Sequence, residues 1–392
     1  MQLDVQSLQG SVRVTTIIKR KTSILFLLAW NDYRIFQGIS RYAHQAGWQM
    51  DTRHFFLNLF PKDRTFQGMI AMYHNDPAVR AYIREKAEHV PTVILGTQNP
   101  GVKAPMVMPD NRAAGCLAAD HLFNLFHKHY GWFACDSCPS GKERKLAFEG
   151  RLREQGFSCV DLSCGKAPFN ATTVMHKLKQ SPKPLGVMAR DDHDAAVLLD
   201  LCQRAGLCTP EEVAVIGVGD LESLCAFSPL PVSSISLNMD ELGFQSAAVL
   251  DQLMRGKPVP DKSVIPPGPL TQRLSTGCLA ITHPDLRVAV NKIDKEYKTL
   301  LTMDDLALAA GISRRQLYLL FENEMRCSPC DYLLNVRLEY ARKLVTENKL
   351  HLNEIAQVCG FNTPRTLHRV FLQRFGLSPS KWAKNYDLIT HT

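Results

Sequence analysis

The chain has 392 residues, of which 45% are hydrophobic, and it carries a formal net charge of +8. A chain of this length exceeds one ordinary hydrophobic core, so about two or three domains are expected. No apolar run reaches the roughly 18 residues that a membrane span requires. The short apolar run at 24–30 is followed by polar residues instead of a cleavage site, which argues against a signal peptide. We therefore expect a cytoplasmic protein with no membrane partner.

Twelve cysteines in a chain without an export signal fit a reducing compartment. Two Cys-x-x-Cys pairs occur, Cys135 with Cys138 and Cys327 with Cys330. A structural zinc site needs about four ligands, and the two pairs lie in different parts of the chain. The Ser-Pro between the second pair instead indicates a helix start. The sequence therefore predicts no metal and no cofactor.

The first two thirds of the chain alternate between short apolar segments and amphipathic ones. Residues 1–21 show no period and are expected to form a tail. Alternation of this kind predicts an α/β domain with parallel sheets covered by helices, and residues 22–275 suffice for two such lobes. Strands are predicted at 23–29, 68–72, 92–95, 130–134, 185–189 and 213–218. Helices are predicted at 33–46, 78–88, 111–126, 143–155, 194–205 and 240–254.

A cluster of five prolines between positions 258 and 269 marks the approach to a domain boundary. Beyond position 285 only helical patterns remain, so we expect a linker at 276–285 and an all-α domain at 286–392. That domain holds 16 Lys and Arg against 11 Asp and Glu, a net charge of +5. Concentrated positive charge favours a partner that bears phosphates.

One pattern occurs twice in the all-α domain. In the first copy, Thr302 is expected to cap a helix, Gly311 to form a turn and Ser313 to cap a second helix, whose Leu317 and Phe321 face the core. Four side chains are left facing outward near the start of this second helix: Arg314, Arg315, Gln316 and Tyr318. The arrangement is that of a helix-turn-helix, which places its second helix in the major groove of DNA.

The second copy repeats each of these features. Its first helix is expected to begin at Asn353, its turn lies at Gly360, and Thr363 caps a second helix with Pro364 in the first turn. The outward-facing side chains of this second helix are Arg365, Thr366, His368 and Arg369. Arginine and glutamine can form bidentate contacts with guanine and adenine edges, so both copies predict contacts with bases.

A single helix predicted at 332–347 joins the two copies. A rigid helix of this length can hold two recognition helices about one DNA turn, ~34 Å, apart. Pro379 is expected to end the pattern, and Lys381 and Lys384 are candidates for phosphate contacts. The alternative is a helical bundle whose surface is merely basic.

The second copy and the residues after it contain the segments Ile355-Ala356, Cys359-Gly360-Phe361, Phe371, Arg374-Phe375-Gly376 and Ser378-Pro379. They resemble the signature of AraC/XylS-type transcription activators, and the likeness covers residues 286–386. The resemblance implies DNA contacts from Arg314, Arg315, Gln316, Tyr318, Thr363, Arg365, Thr366 and His368. It also implies double-stranded DNA with tandem half-sites and RNA polymerase as partners. Residues 361–365 depart from the serine-rich sequence common in that family, which bears on the operator sequence.

The front part resembles a different family, the LacI/GalR-type sensors, which have the periplasmic sugar-binding fold. The matching segments are Pro109-Asp110-Asn111, Ala118-Ala119-Asp120-His121-Leu122, Arg144 with Phe148, Asp192, residues 210–218 and Ser233-Ser234-Ile235. The likeness spans residues 22–275. A sensor followed by an AraC-type domain is similar to the xylose-operon regulators of the XylR type. Sensors of this kind pair through the first lobe, so the resemblance implies a homodimer.

Sugar sites combine planar polar groups with an aromatic wall. By resemblance, Arg144 and Asp192 would contact sugar hydroxyls, and Asp220 lies one position beyond the aspartate usual in the family, whose place Gly219 takes. Candidates for the opposite wall are Trp30, Asn31, Asp32, Tyr33 and Tyr73. Each has a plainer alternative: Arg144 belongs to a solvated charge run, Asp192 and Asp220 cap local structure, and Tyr33 lies in the core.

Together these patterns predict a ligand-responsive transcription regulator associated with the bacterial nucleoid, and an activator of a gene cluster for a xylose-like sugar. We expect no enzymatic activity, since the chain contains no Gly-x-Ser-x-Gly segment and no phosphate loop. Two alternatives remain. One is a constitutive DNA-binding protein whose sensor binds no sugar, and the other is a sugar-processing enzyme with a DNA-binding tail.

Overall fold

The structure is a computed structural model that describes residues 22–29, 32–57, 59, 65–164, 168–228 and 230–390. It contains two six-stranded sheets followed by a helical domain, which confirms the predicted two-lobed α/β sensor and the all-α C-terminal domain. The predicted N-terminal tail, 1–21, lies outside the described residues. Elements are labelled below in chain order.

Lobe 1 is built mainly from the first quarter of the chain. Its sheet has the strand order β11-β5-β4-β3-β1-β2, and all of its pairings are parallel. The elements of lobe 1 are β1 (Ser23–Leu27), α1 (Tyr33–Ala46), β2 (Gln49–Asp51), α2 (Arg53–Leu57), β3 (Gly68–Met72), α3 (Pro77–Ala87), β4 (Thr92–Leu95), β5 (Met106–Pro109), α9 (Met239–Met254) and β11 (Lys262–Ile265). The elements α9 and β11 belong to lobe 1 but follow most of lobe 2 in the sequence. The chain therefore crosses between the two lobes more than once.

Lobe 2 has the strand order β12-β10-β9-β8-β6-β7, in which only β12 runs antiparallel to its neighbour. Its elements are α4 (Asn111–Asn124), β6 (His129–Phe133), α5 (Pro139–Glu154), β7 (Cys159–Asp161), α6 (Ala171–Gln180), β8 (Leu185–Ala189), α7 (Asp192–Ala205), β9 (Val213–Gly219), α8 (Glu222–Cys225), β10 (Ser233–Ser236), β12 (Leu270–Thr271) and a 3-10 turn at Leu274–Thr276. The central strands are apolar and buried on both faces, as expected for parallel sheets between helices.

Glycines permit a close helix crossing in each lobe. A Cβ at Gly38 on α1 would collide with the backbone carbonyl of Asp240 at the start of α9. In lobe 2, a Cβ at Gly115 on α4 would lie 2.5 Å from the carbonyl oxygen of Arg144 on α5. Both helix pairs therefore pack backbone against backbone, which fixes their separation.

The C-terminal domain has seven helices in the described residues: α10 (Pro284–Glu296), α11 (Met303–Ala309), α12 (Arg314–Met325), α13 (Pro329–Glu347), α14 (Leu352–Val358), α15 (Pro364–Phe375) and α16 (Pro379–Thr390). They form two separate hydrophobic cores, one around Phe321 and one around Phe371. Helix α13 contributes to both, with Leu333 in the first core and Leu338 in the second. At 19 residues it is about 28 Å long, so it is a rigid spacer between two helix-turn-helix units.

The predicted caps and turns of both units are present. Thr302 and Ser313 each form a capping box, and Thr363 caps α15. Gly311 and Gly360 adopt positive φ angles of 68° and 75°. One expectation was wrong: Pro379 does not end the helical pattern but occupies the first turn of α16, where a proline needs no hydrogen-bond partner for its nitrogen.

Candidate functional site

The N-terminus of α12 presents the first set of predicted DNA-contacting residues. Arg314, Arg315 and Gln316 are exposed there, whereas Tyr318 is half-buried. The Oε1 atom of Gln316 accepts hydrogen bonds from the nitrogen and the hydroxyl of Ser313, each 3.0 Å long. Because its carbonyl serves the capping box, Gln316 retains only its amide NH₂ group for a partner.

Arg314 and Tyr318 belong to a small polar cluster on the same surface. The Tyr318 hydroxyl lies 3.4 Å from the sulfur of Cys330, and Arg314 lies 3.6 Å from Asp304. The hydrogen bond from Arg314 to Tyr318 and the charge of Asp304 raise the pKa of Arg314 above its ordinary value. Arg315 has no hydrogen-bond or ionic partner among the described residues, so it is the freest cation on this helix.

The N-terminus of α15 presents the second set. Thr363 caps the helix by accepting from the Thr366 nitrogen at 3.1 Å, and the two hydroxyls lie 2.9 Å apart. Arg365, His368 and Arg369 are exposed and have no partner in the described part of the chain. The structure thus divides the predicted set into residues that shape the helix start and residues that are free to contact a ligand.

A different cluster lies where the two lobes of the sensor face each other. Arg34, in the first turn of α1, forms a bidentate ion pair with Asp32, whose Oδ2 is 2.8 Å from Nη2. Its Nη1 donates to the carbonyl oxygens of Gly219 and Asp220 at 2.6 and 3.1 Å. Burial opposes the charge, but Asp32, with Asp192 and Asp220 nearby, raises the pKa of Arg34. Arg34 therefore joins lobe 1 to the end of β9 in lobe 2.

Arg144 is buried, with only 7% of its surface exposed, so the alternative that it belongs to a solvated charge run is wrong. Its Nε donates to Asn111 Oδ1 at 2.9 Å and its Nη1 to the Arg190 carbonyl at 2.6 Å. Burial lowers the pKa of Arg144, although nearby carboxylates including Asp191 oppose that effect. No carboxylate forms an ion pair with Arg144 among the described residues, and its Nη2 has no protein acceptor there.

Asp192 is also buried, and both of its oxygens are occupied within lobe 2. The Ser234 hydroxyl donates to Oδ1 at 2.5 Å and the Leu221 nitrogen to Oδ2 at 2.8 Å. Burial raises the pKa of Asp192, and these two hydrogen bonds oppose the increase. A Cβ at Gly219, where φ is +129°, would lie 3.1 Å from Oδ2. Glycine at position 219 therefore allows the end of β9 to lie close to the carboxylate of Asp192.

Asp220 lies at a strained backbone position with φ of 48°. Its Oδ1 is 2.8 Å from Arg273 Nη2, and its Oδ2 accepts from the Thr271 hydroxyl at 2.8 Å. Neither Asp192 nor Asp220 is the N-cap of the helix that follows it, since Asp191 and Leu221 occupy those positions. The two aspartates are instead parts of one polar network at the carboxyl ends of β8 and β9, where open α/β sheets bind ligands.

The residues predicted to form the lobe 1 wall of the sugar site have different surroundings in the structure. Asp32 is the N-cap of α1 as well as the partner of Arg34. Tyr33 is 60% exposed, so the alternative that it lies in the core is wrong. Tyr73 follows β3, is half-buried, and carries the guanidinium of Arg80 over its ring at 5.2 Å. Trp30 and Asn31 lie outside the described residues.

Sequence reasoning assigned no role in the cleft to three residues that organise it: Arg34, Ser234 and Arg273. Arg34 follows directly on the proposed wall residues, so its position was a usable signal. Ser234 is fully buried in a serine-rich strand, and Arg273 follows the proline cluster. In the described part of the chain, no group of three or more His, Cys, Asp or Glu side chains is arranged to hold a metal ion. No helix there combines the length and hydropathy of a membrane span.

The comparisons with known proteins agree with this division. A model of a periplasmic binding protein-like domain matches residues 119–276, and a model of a helix-turn-helix domain matches residues 306–385. A two-lobed α/β domain of this kind joined to tandem helix-turn-helix units defines a ligand-responsive, DNA-binding transcription regulator.

The chain is similar to proteins named as xylose operon regulatory proteins. It is 25% identical over 373 residues to the one from Escherichia coli strain K12, covering 90% of this chain and 93% of that protein. The Haemophilus influenzae protein of the same name is 26% identical over 53% of this chain and 54% of that protein. The regulator GbdR of Pseudomonas aeruginosa strain PAO1 is 33% identical over 26% of this chain and 28% of that protein.

Solved structures support the fold along almost the whole chain. A structure described as the xylose-binding transcription activator xylR matches with a TM-score of 0.56 and 23% identity, and covers 93% of this chain and 98% of that one. A cellobiose complex of the transcriptional regulator CelR matches with a TM-score of 0.53 and 20% identity over 65% of this chain and 85% of that one. The alignment with the first of these structures covers both the sensor and the helical domain of this chain.

Proposed function

We propose that this chain binds a sugar between its two lobes and activates a gene cluster for the use of that sugar. The observation that carries the proposal is the cleft, in which Arg34 of lobe 1 bonds to Gly219 and Asp220 of lobe 2, and in which both Arg34 and the buried Arg144 lie near Asp192. A buried guanidinium with an unused donor is stabilised by an added acceptor, and a sugar hydroxyl provides one. The E. coli relative is named for a xylose operon, which supports a pentose as the first candidate.

The charges around the cleft favour a neutral ligand. Carboxylates and guanidinium groups lie close to one another there: Asp32 pairs with Arg34, Asp220 pairs with Arg273, and Asp192 lies near Arg144. Because their formal charges cancel, neither an anion nor a cation is strongly favoured by the net field. Planar donors and acceptors on both lobes suit the vicinal hydroxyls of a small polyol. In this proposal Arg144 contacts a hydroxyl directly through its unused donor, while Asp192 and Asp220, whose oxygens already have partners, hold the end of β9 in place.

We further propose that the two helix-turn-helix units bind tandem half-sites of double-stranded DNA. Arg315, Arg365, His368 and Arg369 are exposed and unpartnered among the described residues, which makes them the strongest candidates for contacts with bases or phosphates. Arg314 and Tyr318 would contribute after leaving their present partners. Gln316, Thr363 and Thr366 would mainly fix the helix starts. A homodimer paired through lobe 1, contact with RNA polymerase and a cytoplasmic, nucleoid-associated location complete the proposal.

A thermal-shift screen of the full chain tests the sensor function. Xylose or a close pentose should raise the unfolding temperature, because a ligand that binds only the folded state stabilises it. Hexoses and uronic acids serve as the comparison set. No shift with any sugar, together with specific DNA binding, would favour the constitutive regulator. Turnover of the bound sugar, followed by NMR, would favour the enzyme; we expect the sugar to be recovered unchanged.

DNA selection with the purified protein tests the second function. We expect enrichment of sequences with two similar half-sites about one helical turn apart, because α13 fixes the separation of α12 and α15. Binding should weaken steeply with salt, since cationic contacts release counterions from DNA. Equal binding to all duplexes at every salt concentration would contradict the proposal.

A further inference from the structure

The helix α4 spans lobe 2 from the effector cleft to the DNA-binding domain. At its first residue, Asn111 is buried and accepts a hydrogen bond from Arg144 Nε. Beyond its last turn, Phe126 packs against the hydrophobic core of the first helix-turn-helix unit, with its ring 6.2 Å from that of Tyr332. The helix has 14 residues and a length of about 21 Å. A displacement of Arg144 can therefore be transmitted along this rigid helix to the DNA-binding domain.

Phe126 adopts a backbone conformation that a phenylalanine rarely has. Its φ is 64°, in the left-handed region that favours glycine. A bulky side chain is held in this region only when surrounding contacts over-determine it. Here those contacts come from the DNA-binding domain and from the linker, whose Ala280 nitrogen donates to the Leu125 carbonyl at 2.8 Å.

Two further contacts anchor the C-terminal end of the first recognition helix, α12. Lys128, just after α4, donates to the Asn323 carbonyl at 3.2 Å. Glu324 accepts from the nitrogen and the hydroxyl of Thr282 at 2.8 and 2.5 Å, and from the His283 nitrogen at 3.1 Å. The opposite end of the same helix presents Arg314 and Arg315. The sensor and the linker therefore contact the C-terminal end of α12, and the N-terminal end of the same helix carries the proposed DNA-contacting residues.

The second unit has no comparable connection. Its core contains no residue of the sensor, and no hydrogen bond, ion pair or ring contact joins α14 or α15 to the sensor within the described ranges. A cavity of about 590 Å³ also lies between lobe 2 and the end of α12, with Phe123, Phe157 and Met325 in its lining. The junction therefore rests on a few discrete anchors beside an open cleft, and such a junction can shift.

We propose that α4 and Phe126 couple the effector cleft to the first helix-turn-helix unit, and that the second unit receives the signal from the rest of the DNA-binding domain, through α13 and the residues after α10 that pack against Gly360, and not from the sensor directly. This inference rests on the proposed function, because it describes how sugar binding would change DNA binding. Phe126 is a positioning residue: it contacts neither sugar nor DNA. Effector binding would move Asn111 through Arg144, and the displacement of α4 would reorient α12 through Phe126, Lys128 and the linker.

The variant Phe126→Gly tests the coupling in the full-length protein. Glycine adopts the observed φ without strain, so the fold should persist while the ring is lost. Phe227→Gly is the matched control, since it removes a ring that is 83% exposed on the same lobe. We expect Phe126→Gly to keep the sugar-induced thermal shift and specific DNA binding, but to lose the effect of sugar on the DNA dissociation constant. A sugar effect within about twofold of the wild-type effect would overturn the inference.

Hydrogen exchange provides a second measurement that needs no effector. In the sugar-free protein, Phe126→Gly should speed amide exchange in α11 and α12 by about tenfold and leave α14 and α15 unchanged. Glu324→Ala, which removes the linker anchor, should have the same pattern, and Glu339→Gln, which breaks a surface ion pair with Arg342, should not. Equal changes in both units, or none, would refute the coupling path. If no sugar binds the wild type, the proposed function fails and exchange alone decides this inference.

Discussion

The Nη1 atom of Arg34 donates to the carbonyl oxygen of Gly219 across the sensor cleft, at 2.6 Å and over 185 positions of sequence. One side chain of lobe 1 thus holds a strand end of lobe 2 that already packs against Asp192. Any ligand that binds between the lobes must either preserve this contact or replace it. Arg34 is therefore a direct link between the two lobes at the site proposed for the ligand.

The variant Arg34→Met should open the cleft and weaken sugar binding. It removes charge-assisted hydrogen bonds to two carbonyls while keeping an extended side chain, so we expect an affinity loss of about 10- to 100-fold, or roughly 1.4–3 kcal/mol. Calorimetric titration with the sugar found in the screen measures the loss. Arg84→Met is the control, because Arg84 donates to Pro100 within lobe 1 alone. Equal losses in both variants would show that the cross-lobe contact has no special role.

Two glycine substitutions should change stability in opposite directions. Gly38→Ala places a Cβ against the Asp240 backbone carbonyl, and we expect a destabilisation of about 1–3 kcal/mol from overpacking the α1–α9 crossing. Gly150→Ala lies in α5 with no atom within 4 Å of the added Cβ. Alanine there should stabilise the helix by roughly 0.5–1 kcal/mol. Urea unfolding followed by circular dichroism measures both, and a neutral Gly38→Ala would contradict the close crossing.

The variant Arg365→Ala should reduce both affinity and specificity for the selected DNA site. If Arg365 contacts a base, its loss should cost about 1–3 kcal/mol and relax the preference at one base pair. Lys349→Ala is the control, since this exposed cation lies between the units, 4.0 Å from Glu347. Fluorescence anisotropy with matched and mutated duplexes separates the two effects. A uniform loss across all sequences would assign Arg365 to phosphate contacts instead.

Acid should destabilise the protein through two histidines near the end of α4. Burial lowers the pKa of His121 and that of His127 to about 4 from an ordinary value of 6.5. Between these values the unfolded chain binds protons that the folded protein does not, so stability falls as the pH drops from 6.5 towards 4. Each histidine should contribute about 2 kcal/mol less at pH 5 than at pH 7.5.

Urea unfolding at the two pH values measures this loss. His121→Asn removes one titrating ring next to Thr276 and should flatten the pH dependence, whereas replacement of the exposed His193 by Asn should leave it unchanged. An unaltered slope in His121→Asn would show that His121 is not responsible.

Six strands, β1, β3, β4, β6, β8 and β9, could be predicted because each is a continuous apolar run between turn signals. Three of them, β3, β4 and β8, begin and end at the predicted residues. Several of the missed strands lack that signal. β7 and β11 are largely exposed edge strands, and β10 consists of three serines and one isoleucine. Ser233 and Ser234 are buried because Ser275, Arg273 and Asp192 satisfy their hydrogen bonds, and such partners are distant in sequence.

Local sequence by itself determined the tandem helix-turn-helix units, since caps, turn glycines and helical periodicity act within a few residues of each other. It also placed Arg144, Asp192 and Asp220 at strand and helix ends. Only the tertiary structure decided which of these groups are free: Arg144 retains a donor, whereas Asp192 has both oxygens occupied. The physical reason is that hydrogen bonding of a buried polar group depends on elements that meet only after the chain folds, as Arg34 and Gly219 do.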